Sequence, residues 1–363
     1  MKRIFKIHIY IIMVLSLVSC SSYIRSNLKS EQKSHGDVYS ILHFASLAGS
    51  SHNSQPWKAE VFGQDSILVY ADFTRTLPVV DKTNRELYVS IGAFIENLDV
   101  AACCFGYETD IQICKSIVNE NSAVAAIKLK RTNALNNNSE LREIELRNTL
   151  RIPFETREIK RSDWEQLVAL DSSSIHFIPS VSENGKFMAD SELKAYAKQA
   201  YNKQAQDELA QWIRFSNKDV KEKQDGLSTA GMGINGLGGF VVRNFISPEV
   251  SKKESFIVKG IEKTKLQVEN CGGWIVITQN SDNLATWINT GRLYDRLNLK
   301  CRKLGLGFHP MSQSIEEQES GTESNNFLGF QGKLMFVARI GYVGNYPAPV
   351  SLRRPVERFT SFR

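Results

Sequence analysis

Gly49-Ser50-Ser51-His52-Asn53-Ser54-Gln55-Pro56-Trp57 gathers small hydroxyls, an imidazole and two side-chain amides into one short run of turn-forming sequence. Asn and Gln each offer a donor and an acceptor, so such a loop suits a planar heterocycle with carbonyls and ring nitrogens. Pro56 prevents a helix from continuing and directs the chain into Trp57-Lys58-Ala59-Glu60-Val61-Phe62, which reads as a strand. On residue chemistry alone this is a ligand loop between a helix and a strand.

Working outward, a second polar concentration lies about a hundred positions downstream, in Arg147-Asn148-Thr149-Leu150-Arg151-Ile152-Pro153-Phe154. On a helix, Arg147 and Arg151 stand one turn apart and both guanidinium groups can face one phosphate, with Thr149 adding a hydroxyl. The same spacing also describes a solvated helix face beside Glu143 and Glu145. Arg353-Arg354-Pro355, near the end, reads on its composition as a basic tail.

An internal repeat gives the larger organisation. Gly92 and Gly106 are separated by the same distance as Gly291 and Gly305, and Phe94, Leu98, Val100 and Phe105 match Leu293, Leu297, Leu299 and Leu304. Ile91, Phe94, Ile95, Leu98, Ala101, Ala102 and Phe105 recur at helical spacing, so each copy predicts a core helix stopped by a glycine in the left-handed region. Any two amphipathic helices ending in glycine share part of this pattern. Short β-branched runs at 66–70, 274–278 and 334–340 predict strands, and residues 191–215 read as one long helix capped by Asp190 or Ser191. The fold class expected is α+β.

The 363 residues suffice for two domains or one fused pair, and 42% apolar with 23% charged residues is a globular composition. A formal charge of +6, with no long basic block, gives no reason to expect nucleic-acid binding. Met1-Lys2-Arg3 precedes an apolar run over 7–18, too short for the roughly 20 residues of a membrane span. It ends in Leu17-Val18-Ser19-Cys20, similar to the lipobox of bacterial lipoproteins. The expectation is a signal peptide over 1–20, a lipid on Cys20 and a polar tether over 21–36, which puts the protein in the bacterial envelope, on the outer membrane or the periplasmic face. A cleaved signal without lipid, or an anchor helix, are the alternatives. Cys103, Cys104, Cys114, Cys271 and Cys301 remain, an odd number that argues against a full disulfide framework. Cys103, Cys104 and Cys301 read as small buried apolar residues, and no zinc-ligand spacing appears.

The loop at 49–57 resembles the Pro-Ser-Ser-x-Asn-Ser-Gln-Pro-Trp motif of flavin mononucleotide (FMN)-dependent nitroreductases, with Gly49 in place of the proline. His52 at the variable position resembles the Acg-type branch, in which two nitroreductase units are fused. Residues 147–154 resemble the Arg-Arg-Ser-x-Arg-x-Phe signature that opens a nitroreductase domain, with Asn148 replacing a basic residue. The resemblance runs from about residue 37 to the C-terminus. It implies a first repeat over 37–145, a second over 146–363, and an intramolecular pseudo-dimer around mixed or antiparallel sheets flanked by helices. It also implies one FMN site per chain, formed between the repeats, so that a monomer suffices. The cofactor ligands implied are Ser50, Ser51, His52, Asn53, Gln55, Arg147, Thr149, Arg151, Pro310, Met311, Ser312 and Arg353. Within Gly305-Leu306-Gly307-Phe308-His309-Pro310-Met311-Ser312 the family lays backbone amides beside the flavin ring. No side-chain acid or base is implied as catalytic.

Gly231-Met232-Gly233-Ile234-Asn235-Gly236 fits G-x-G-x-x-G, but polar and charged sequence precedes it instead of a strand, so a dinucleotide reading fails. A mobile, lid-like insertion over about 216–245 is expected instead. Two functions follow. One is an oxidoreductase passing electrons from NAD(P)H to nitro or quinone-like aromatic acceptors. The other is a non-catalytic FMN-binding or FMN-sequestering lipoprotein with a closed site.

Overall fold

The structure, a computed structural model, describes residues 35–116, 119–132 and 139–363. The signal segment, Cys20 and most of the expected tether lie outside these residues.

Two antiparallel arrangements carry the fold. The strands are β1 (Trp57–Phe62), β2 (Ser66–Ala71), β3 (Tyr107–Ile113), β4 (Ala123–Arg131), β5 (Ile175–Pro179), β6 (Ile213–Arg214), β7 (Leu227–Ser228), β8 (Gly273–Gln279), β9 (Leu306–Pro310), β10 (Lys333–Tyr342) and β11 (Thr360–Phe362). One sheet has the order β11-β1-β2-β4-β3, the other β5-β8-β10-β9, and β6 pairs with β7. In the first sheet β2 leads into helix Arg85–Cys104, then β3, then β4; in the second, β8 leads into helix Leu284–Lys303, then β9, then β10. Strand order, connection and antiparallel pairing therefore occur twice. β11 makes the first sheet mixed by running parallel to β1, with Ala59 opposite Thr360. The fold is α+β, with mixed and antiparallel sheets flanked by helices.

The two connecting helices form the centre. Asp81 starts the first, its carboxylate accepting from the Glu86 and Leu87 N–H groups at 3.2 and 3.0 Å. Asn283 starts the second by accepting from the Thr286 N–H. Each is followed by a glycine at positive φ, +81° at Gly106 and +70° at Gly305, the conformation that costs glycine least. They cross at Gly92 and Gly291. A Cβ on Gly92 would lie 2.0 Å from the Ile288 carbonyl oxygen, and one on Gly291 would lie 2.0 Å from that of Val89. The contact is reciprocal, each glycine meeting the carbonyl three residues before the other, as across a two-fold axis. Arg292 and Arg296 reach back to the buried Glu96, Arg292 at 2.9 Å. Trp57, Phe94, Leu297, Phe308 and Phe336 belong to one apolar core that spans both helices and both sheets.

Three sequence expectations need correction. The helix expected over 191–215 is two, Glu183–Tyr201 and Lys203–Trp212, because the Asn202 side chain accepts from the Gln204 and Ala205 N–H groups and starts a new helix. Arg147 and Arg151 do not share a helix: helix Ser139–Leu146 ends before them, and the extended run beyond hangs its amides on other elements, Leu150 N–H on Phe308 and Phe154 N–H on Asn270. Cys103 is exposed, whereas Cys104 and Cys301 are buried.

Candidate functional site

The loop after helix Gly36–Ser46 is tightly wound. Ser51–Asn53 form one turn of 3-10 helix, and Ser50 closes it by accepting the Gln55 N–H on its hydroxyl at 3.0 Å. His52, Asn53 and Gln55 all have positive φ, at 49°, 53° and 54°. Each such residue other than glycine costs on the order of 1 kcal/mol, and strain of this kind concentrates at functional sites. The turn docks on the first central helix, the Ser51 N–H donating to the Ser90 hydroxyl at 3.1 Å.

The loop's amides do less for a ligand than the sequence suggests. Asn53 Nδ2 donates to the carbonyls of Gly226 and Leu352 at 3.0 and 3.2 Å. Gln55 Nε2 donates to the Gln224 carbonyl at 2.9 Å, and its Oε1 accepts the Arg354 N–H at 2.8 Å. Gln55 is thus a staple between the loop, the insertion and the C-terminal tail. Asn53 Oδ1 and His52 Nδ1 are buried and, among the described residues, make no hydrogen bond. Burial, with the Arg151 charge nearby, holds the His52 imidazole down to about 4, so it is neutral at physiological pH.

The arginines converge on this loop from the far half of the chain. Arg147, almost fully buried, donates from Nη2 to the Leu47 carbonyl at 2.9 Å, and Arg353 donates from Nη2 to that of Ala48 at 2.9 Å. A Cβ on Gly49 would lie 3.4 Å from Arg147 Nη1 and 2.1 Å from the Tyr294 hydroxyl, so any larger residue there must displace the Tyr294 ring. Residues 47–49 therefore run along Arg147 and Arg353, and the Arg151 charge acts on His52. Burial and the neighbouring Arg147 pull Arg353 down to about 9, and burial also lowers Arg151. Thr149, half-buried, lies on the stretch between Arg147 and Arg151, while Asn148 donates to the Ala348 carbonyl at 3.3 Å and holds the tail.

Farther along, Arg151, Lys263 and Arg339 form a partly buried cationic group beside His309, whose imidazole is kept neutral by burial and by those three charges. Burial and the charges of Arg151 and Arg339 push Lys263 down to about 8, and among the described residues no carboxylate pairs with Arg151, Lys263 or Arg339. Arg339 is engaged structurally, donating to His309 Nδ1 at 3.0 Å and to the carbonyls of Leu150 and Ile152.

At the end of β9 two of the three expected positions offer no free backbone donor. Pro310 has no N–H, and the Met311 N–H donates to the Val337 carbonyl at 2.9 Å in the sheet. What remains is Ser312, with its backbone N–H and a hydroxyl that makes no hydrogen bond among the described residues; the residue is 6% exposed.

The sequence reading missed several groups. Tyr294 is buried between Arg147 and Arg353, and its only signal was the position after Leu293 in the repeat. Arg354 clamps the carbonyls of Gln55 and Trp57. Glu192 accepts from the Ser314 N–H and hydroxyl at 3.1 and 2.5 Å, and burial pushes it up to about 8. The insertion covers the loop: Gly226 N–H donates to the Asn53 carbonyl at 3.1 Å, and Arg75 links Ser54 to Asp225 at 2.8 and 2.9 Å. Farther on, Arg151 and Lys263 hold the carbonyls of Gly231 and Met232. The glycine-rich part is not loose chain but leads into helix Gly236–Phe245.

No family model matches the chain, and no curated protein matches it. Among solved structures it is similar to the FMN-dependent nitroreductase NfnB of Mycobacterium smegmatis, crystallised with NADPH, at 14% identity over 61% of this chain and 96% of that one, TM-score 0.38. A putative nitroreductase of Anabaena variabilis is 12% identical over 89% of this chain and 92% of its own, TM-score 0.40. A nitroreductase-like family protein of Bacillus cereus is 12% identical over 62% and 96%, TM-score 0.34. The chain is thus distantly similar in structure to nitroreductase family proteins across most of its length.

Proposed function

We propose that the protein is an FMN-binding flavoprotein whose single site lies between two fused nitroreductase-like repeats. The observation that carries this is the convergence along residues 47–52: a strained polar loop from the first half meets Arg147, Arg151 and Arg353 from the second. Arg147 and Arg353, side by side, would hold a phosphate dianion, and Arg151 with the neutral His52 would face a polar ring edge. The orphaned Asn53 Oδ1, His52 Nδ1 and Ser312 hydroxyl fit a ligand that both donates and accepts. The doubled strand order and the reciprocal Gly92–Gly291 contact support the fused-repeat reading, with repeats over 37–145 and 146–363.

Bound FMN would supply the redox chemistry, taking hydride from a nicotinamide and passing electrons to nitro or quinone-like acceptors. The residues' part is to orient it and tune its electrostatics; no side chain is assigned as a catalytic acid or base. A non-catalytic, FMN-sequestering role is the second reading, favoured by the hydrogen bonds that tie residues 224–232 onto the loop and the arginines. We also propose lipid attachment at Cys20 and an envelope location.

The visible spectrum of the purified protein tests the function. Flavin absorbance, with FMN released by acid, is expected. Bleaching by NADPH selects the oxidoreductase, and an unbleached flavin selects sequestration. A colourless protein that does not take up added FMN, or one that releases FAD, overturns the proposal.

A further inference from the structure

The glycine-rich run at 231–236 lies directly on two cations. Arg151 Nη1 donates to the Gly231 carbonyl at 2.9 Å, and Lys263 Nζ donates to that of Met232. Gly233, at φ +71°, permits the approach: a Cβ there would lie 2.5 Å from the Arg151 carbonyl oxygen and 3.1 Å from Lys263 Nζ. The two cations are therefore capped by peptide dipoles. A carbonyl satisfies a donor but leaves its net charge uncompensated, which is costly in a partly buried group. Arg151, Lys263 and Arg339 also act on one another, so each makes the others' charge harder to hold.

A phosphate at Arg147 and Arg353 does not answer these charges. Arg147 acts on Arg353, whereas Arg151 acts on Lys263, Arg339 and His309. Arg339 is fully buried and its guanidinium is taken up by His309 and backbone carbonyls, so it supplies charge alone. Arg151 and Lys263 are half-buried, and each is held by a carbonyl that a stronger acceptor can replace. Tyr196 and Tyr294 stand beside Arg151, whose charge also acts on His52, so this group adjoins the loop. We propose that Arg151 and Lys263 seat the carboxylate or phosphate of a second ligand, the electron acceptor or donor, in place of the Gly231 and Met232 carbonyls. Such an anion neutralises both cations at once and releases the glycine-rich segment, so it opens a cover that a neutral analogue finds closed. What the second ligand does rests on the flavin reading; the seat does not.

Calorimetric titration of the full chain, loaded with FMN and again without it, tests this with 4-nitrobenzoate against 4-nitrobenzamide, which differ chiefly in charge. The benzoate is expected to bind about tenfold or more tightly, the size of a charge-assisted contact, and Lys263→Met should bring the two within about twofold. Lys263→Arg should keep the preference, and the wild-type comparison stands alone should Lys263→Met not fold. Amide hydrogen exchange over residues 226–234 should quicken with the benzoate bound, because the Gly226, Met232 and Ile234 N–H bonds belong to the displaced segment. Nicotinamide mononucleotide against its riboside, titrated the same way, locates the anion. A preference confined to that pair assigns it to the donor's phosphate, and one confined to the benzoate assigns it to the acceptor. No preference in either pair, a preference that survives Lys263→Met, or anion binding that leaves hydrogen exchange unchanged overturns the proposal. Failure to take up FMN would sink the flavin reading alone, since the flavin-free titration reads the seat directly.

Discussion

At the scale of single residues, His52 and Asn53 carry the sharpest consequences. His52 titrates near 4 in the folded chain against 6.5 in an unfolded one. Between those values the unfolded chain binds a proton that the folded chain refuses, so stability is fully present above pH 6.5 and falls as pH drops toward 4. The loss through this residue is up to about 3 kcal/mol. His52→Asn, which tolerates the positive φ, should flatten that dependence in urea unfolding at pH 7 and pH 4.5; an unchanged dependence would assign the acid sensitivity elsewhere. Asn53→Ala strands the Gly226 and Leu352 carbonyls and should cost roughly 1–3 kcal/mol of stability in the same assay. That Asn53 belongs to a polar loop was legible in the sequence. That its Nδ2 holds the insertion and the tail was not, because those partners are 173 and 299 residues away and nothing local to Asn53 points to them.

Among elements, the crossing of the two central helices governs stability. Gly92→Ala or Gly291→Ala forces a Cβ to within 2.0 Å of a backbone carbonyl oxygen that no side-chain rotation can move. Overpacking of this kind costs roughly 3 kcal/mol or more. Gly63→Ala, with nothing within 4 Å and only its φ of +63° to strain, should cost about 1 kcal/mol. Denaturant midpoints that rank Gly63→Ala as the most damaging would contradict the packing described. The spacing of these glycines was visible in the sequence because helix period and glycine punctuation are local signals. The break at Asn202 was readable in principle, since Asn favours the start of a helix, but the apolar period of the two helices ran together across it. The pairing of β11 with β1 left no trace, since three residues at the C-terminus meet a strand three hundred positions earlier. The end of helix Ser139–Leu146 was missed because Leu150 and Phe154 donate their amides to distant carbonyls.

For the whole molecule, one flavin per chain in a monomer is expected, because both halves of the proposed site belong to one polypeptide. Sedimentation with flavin absorbance should give that ratio; two flavins per chain, or binding confined to dimers, would refute it. Cys20→Ala should leave a soluble or unprocessed chain, and a processed variant still found in membranes would remove the lipid anchor from the account. The central claim is a phosphate-bearing flavin held between the halves, and it is tested by FMN and riboflavin affinities measured side by side for the wild type, Arg147→Ala and Arg353→Gln. A charge-assisted contact to phosphate contributes roughly 2–3 kcal/mol, so each variant should bind FMN about 30- to 150-fold more weakly. Riboflavin, which has the ring but no phosphate, should bind all three nearly alike. Folded variants that keep wild-type FMN affinity would contradict the site between the halves.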